Sequence, residues 1–213
     1  MLDVPVTRPT ADEIRAHLLD RANDALRRPV AHGGEIGLLL CLDAAAFAHG
    51  LGAAWAAFRA ELVERRAANG AGVRGGVHAV LGRADDDVVA SVYAEFAHRH
   101  GFLVPDRLLD RDEHDRLLAS AHEWCARDRA RDEVLDRFGT PTALLGGTKP
   151  RHPGTLLYGA ADRARPPVLF HLREEPDLPE PAVLAARLGG AGFPDGFAFT
   201  PRGAGITARD HGV

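Results

Sequence analysis

Lysine is almost missing from this chain. Of its 26 lysine and arginine residues, one alone, Lys149, is lysine. Such a bias is typical of a GC-rich bacterial genome, which places arginine wherever either cation serves. It singles out Lys149 as a position where a compact, titratable ammonium is wanted. Serine is nearly as scarce. Ser91 and Ser120 both fall on helical patterns, and neither sits on the strand-to-helix elbow that a serine nucleophile needs. The two cysteines, Cys41 and Cys125, lie far apart in apolar surroundings, which excludes a disulfide framework or a zinc-ligand spacing. Long apolar runs are also lacking. The longest, Ile36 to Leu42, falls well short of the roughly 20 residues that span a bilayer. No basic flank followed by an apolar core opens the sequence, so a cytoplasmic location is expected. A net charge of −4 gives no electrostatic case for nucleic acid or an anionic membrane surface. G-x-G-x-x-G, G-x-S-x-G, H-E-x-x-H and P-loop patterns are absent, and the sequence leaves any cofactor unknown.

What is there is concentrated in residues 138–175. Three short apolar runs, Ala143 to Leu145, Thr155 to Tyr158 and Val168 to Leu172, are bounded by Gly and Pro and read as strands. The second and third are expected to pair as an antiparallel hairpin. Between the first two lies Gly146-Gly147-Thr148-Lys149-Pro150-Arg151-His152-Pro153-Gly154. Its glycines and prolines set a shape, and Lys149, Arg151 and His152 project from it. Gly146, Gly147, Thr148, Lys149, Arg151 and His152 are therefore the expected ligand contacts for a carboxylate or phosphate.

Before this segment the chain reads as helix. Thr10 and Glu13 have capping-box spacing ahead of Ile14, Leu18, Ala22 and Leu26, and Pro29 stops that helix. Ile36 to Leu42 reads as either strand or helix start. Residues 44–68 read as one helix capped by Asp43, with an inner stripe of Phe47, Leu51, Trp55, Phe58 and Leu62 and a bend near Gly50. Residues 69–76 read as a Gly-rich loop. Asp85 to Asp87 open a further helix that Gly101 closes. Asp110 and Glu113 cap another, which is expected to run on to Asp136. Residues 182–188 read as a short helix, 197–200 as a strand and 201–213 as a frayed tail.

The expected architecture is α+β: a helical N-terminal two thirds (10–139) packed on a small antiparallel sheet in the C-terminal third (140–200), all within a single domain, 1–213. The favoured function is a bacterial binding protein that presents the basic loop to a small acidic ligand or a protein partner. A second possibility is an enzyme whose acid–base groups are Lys149, Tyr158 and His171, provided that they converge on one pocket. A third is a helical metal site built on Glu95 and His98, which share a helix face at i and i+3, with help from Glu35, His49 or His122.

Overall fold

The computed structural model describes residues 8–147 and 154–212. Thr10 caps α1 (Ala11–Arg27): its hydroxyl accepts from the Glu13 backbone N–H while the Glu13 carboxylate accepts from that of Thr10. One 3-10 turn later the chain enters α2 (Gly34–Ala48), so the ambiguous run Ile36 to Leu42 is helix. Asp43 is consequently mid-helix and caps nothing. The single helix expected over 44–68 is two, because Gly50 takes a left-handed backbone (φ 71°) and restarts the chain as α3 (Gly52–Glu64). Trp55, Phe58 and Leu62 are buried as expected, but Phe47 is 82% exposed.

The loop expected over 69–76 is mostly helix too. α4 (Gly72–Leu81) starts there because Glu35, an entire helix away, accepts hydrogen bonds from the Val73 and Arg74 backbone N–H groups at 2.7 and 3.0 Å. A carboxylate normally supplied by the N-cap comes from elsewhere in the fold, which hides the helix start from a local reading. α5 (Asp86–His100) ends at Gly101 as expected. α6 (Arg111–Trp124) has the Asp110–Glu113 capping box, but it stops near Cys125; α7 (Arg131–Phe138) begins anew, with Glu133 accepting from Ala130 N–H.

β1 (Ala143–Leu145), β2 (Thr155–Tyr158) and β3 (Val168–Arg173) stand where the apolar runs place them. β4 (Ala182–Leu188) corrects the expected short helix, and β5 (Phe197–Phe199) completes an antiparallel sheet ordered β1-β2-β3-β4-β5. Ala and Leu favour helix in isolation, but seven residues are too few to hold one, and here they lie between two hydrogen-bonding neighbours. The expected tail is also ordered. Thr200 accepts from Gly203 N–H and caps α8 (Pro201–Asp210), which packs on β4.

The register divides the sheet into two faces. Ala143, Leu145, Leu157, Leu169 and Ala185 point toward α1–α5 and share their core. Leu156, Tyr158, Val168 and Phe170 point the other way, onto Leu117, Ala121 and Cys125 at α6 and Val134 of α7. The fold is thus α+β with helices on both faces of the sheet. α5 is its central rod, buried at every position from Val88 to His98. Within that run Ser91, Glu95 and His98 are polar, and each needs an internal partner or a cavity to face.

Candidate functional site

The carboxyl end of α5 opens on a cleft of about 350 Å³, whose wall includes Glu95, His98, Arg99, Arg163, Arg165 and the Gly189-Gly190 turn after β4. Glu95 lies at its floor and is almost wholly buried. One carboxylate oxygen accepts from Arg187, and the other accepts from Arg65 at 3.0 Å and from the Gly190 N–H at 2.8 Å. Arg187 is itself fully buried on the helix-facing side of β4; it also donates to Ser91 Oγ at 3.1 Å and lies 5.6 Å from the Phe193 ring centre. Burial pushes the Glu95 carboxyl upward, but the charges of Arg187 and Arg65 outweigh it, and the group is held below its ordinary range. Glu95 is therefore ionised and fully occupied. Arg65 also reaches Glu61 at 3.5 Å, and Glu61 is shared with Arg99, so three guanidiniums against two carboxylates leave the cluster with a net positive charge.

The rim adds more. Arg165 pairs with Asp115, and Arg99 lies 3.7 Å from Glu61. Arg163 makes no ion pair among the described residues. Its guanidinium rests against Gly101, where any β-carbon would collide with it. His98 completes the wall. Its ring packs on the backbone of Gly159, another place with no room for a side chain, and its Nε2 is buried without a hydrogen-bond partner among the described residues. Burial, then the charges of Arg163 and His114, lower its pKa to about 4, so the imidazole is neutral at physiological pH and has a hydrogen bond to give or take.

The other expected site residues fall elsewhere. Thr148, Lys149, Arg151 and His152 lie outside the described residues. Gly146 and Gly147 are placed at the base of that loop. Gly146 holds a left-handed backbone (φ 85°) and presses on Asp87, so its lack of a side chain has a packing reason. Tyr158 and His171 do not converge. The pleat sends them to opposite faces: Tyr158 donates to the Gly139 carbonyl at 2.8 Å, whereas His171 is buried beside α5. His171 Nδ1 lies 3.0 Å from Thr155 Oγ1, which donates to Asp87 Oδ2 at 2.8 Å. Burial, then Arg187, hold His171 well below its ordinary pKa, so it is a neutral core group.

Glu95 and His98 do share a cleft, but as parts of an arginine cluster. Among the described residues no group of three or more His, Cys, Asp or Glu side chains is arranged to hold a metal ion. Of the helpers considered, Glu35 is engaged by Tyr93 and by the start of α4, His49 packs at a tilt against Phe102, and His122 lines a different hollow. The cations that make the site, Arg65, Arg163 and Arg187, escape a sequence reading. The one available signal was Arg187, a lone charge inside the apolar run 182–188.

No family model, no curated protein and no solved structure matches this chain. No helix among the described residues is long and apolar enough to cross a membrane.

Proposed function

We propose that this chain is a binding protein for a small anion, a carboxylate or a phosphate, held in the cleft at the carboxyl end of α5. The observation that carries this reading is the meeting of Arg163, which has no ion pair among the described residues, with the unpartnered Nε2 of His98 above a floor of net positive charge. A guanidinium fork matches a planar carboxylate or a phosphate face, and a neutral imidazole can add one directed hydrogen bond. The cleft volume suits a metabolite-sized ligand. The acidic-ligand class is the one expected from the basic loop, moved to a different part of the fold. A bacterial cytoplasmic setting belongs to the same reading, supported by the arginine bias and two free cysteines.

Calorimetric titration with succinate and with inorganic phosphate tests it. Saturable binding of either is expected, weakened about tenfold or more in Arg163→Ala, one lost charge-assisted contact being worth about 1.5–3 kcal/mol. Arg83→Ala, at the opposite end of α5, should bind normally. Binding of neither probe, or equal loss in both variants, counts against the cleft.

A further inference from the structure

α2 is apolar on nearly all sides. From Ile36 onward its only charge is Asp43. A helix of that composition is normally covered all round. Here one face is open: Ile36 is 73% exposed, Leu40 67% and Phe47 82%. Ile36, Leu40, Asp43 and Phe47 recur at steps of three and four, so they form a single outward stripe. Beside it α3 shows a contrasting surface, with Ala53, Ala56, Ala57 and Ala60 exposed and Val63 60% exposed. Between the helices lies a hollow of about 370 Å³, to which Leu39, Ala56, Arg59, Ala60 and Val63 contribute. One surface thus carries large projecting apolar side chains next to a hollow of mixed lining, Ala56, Ala60 and Val63 beside the polar Glu35, Arg59 and Tyr93, and exposed apolar side chains grouped in this way mark an interaction site.

We infer that this face pairs with the same face of a second copy across a two-fold axis. Two features of this surface select a copy of the chain as the occupant. The surface is complementary to itself in shape, because a two-fold axis would lay the Ile36-Leu40-Phe47 ridge of each copy in the α3 depression of the other. It is also complementary to itself in charge. Asp43 stands on the ridge and Arg59 at the hollow, and neither has an ion-pair partner among the described residues. In the two-fold pair we infer, the Asp43 of one copy faces the Arg59 of the other, twice. A lipid surface fits less well, since the stripe has an acid at its middle and α2 has no flanking lysine or arginine of its own.

Sedimentation velocity on the full chain over a wide concentration range tests the inference. The expected result is a concentration-dependent dimer. Phe47→Asp should leave a monomer whose circular dichroism melt matches the parent, because Phe47 supports no core. Asp43→Arg and Arg59→Asp should each weaken association about tenfold or more, and the two changes together should restore most of it. A parent chain that stays monomeric throughout overturns the proposal, as does a dimer indifferent to Phe47→Asp. A double charge exchange no stronger than either single change overturns the two-fold arrangement.

Discussion

The two ends of α5 each bury a carboxylate, and the two carboxylates are in opposite states. At the carboxyl end Glu95 lies deeper, yet it is ionised, because Arg187, Arg65 and the Gly190 N–H take up its charge. At the amino end Asp87 keeps part of its surface open to a cleft but has no cation on it among the described residues. Thr155 supplies one hydrogen bond, Asp85 adds a like charge, and burial raises its pKa to about 7. Depth alone does not decide whether an acid is charged inside a protein; the partner set does.

The largest expected effect comes from breaking the carboxyl end. Glu95→Gln leaves the Arg187 guanidinium buried without a counter-charge, Arg65 keeping Glu61, and should cost about 3–5 kcal/mol in urea unfolding. Replacing Glu95 and Arg187 together with Leu and Met should recover much of that, since an apolar pair has no charge to compensate. Full stability in Glu95→Gln alone would mean that the pair is open to water.

Next in size is the pH response at the amino end. Asp87 holds its proton in the folded state up to about pH 7, whereas its ordinary pKa is 3.8. Between those values the folded protein binds more protons than the unfolded chain, so stability falls as pH rises. The loss from this group is on the order of 3 kcal/mol between pH 4 and 8. Asp87→Asn should flatten that slope, read as unfolding midpoints at several pH values; an unchanged slope would assign the response to another group.

Thr155→Val sharpens the contrast more finely. It removes the one side-chain donor among the described residues that stabilises charged Asp87, so the midpoint of the pH response should move upward and stability at neutral pH should drop by about 1 kcal/mol. A downward movement would show that Thr155 does not donate to the carboxylate. Smallest of all, Arg163→Ala should change stability by no more than about 0.5 kcal/mol, so that any loss of anion binding is read without a folding effect.

Much of this fold is legible in the amino-acid order where the cause is local. The capping boxes at Thr10 and Asp110, the Gly101 stop and the strands at 143–145, 155–158 and 168–173 all rest on neighbours within a few residues. What escapes has remote causes. Glu35 starts α4 from another helix, neighbouring strands override the helical composition of β4, and the ordering of α8 is aided by Asp210 pairing with Arg173. The cleft escapes for the same reason. Glu95 and His98 are visible as an i, i+3 pair, and that spacing is equally a metal motif until Arg187 is seen lying across it. The opposite fates of Tyr158 and His171 follow from strand alternation and register, legible once β2 and β3 are paired in register.

The Glu95–Arg187 pair joins residues 92 positions apart. During synthesis, α5 leaves the ribosome long before the strand that carries its counter-cation. Until then Arg65 alone answers the charge of Glu95, and the surrounding helices have no finished rod to close upon. Folding of the amino-terminal helices therefore waits on one of the last strands to be made, and a nascent chain halted short of residue 187 should give only a broad, non-cooperative melt by circular dichroism.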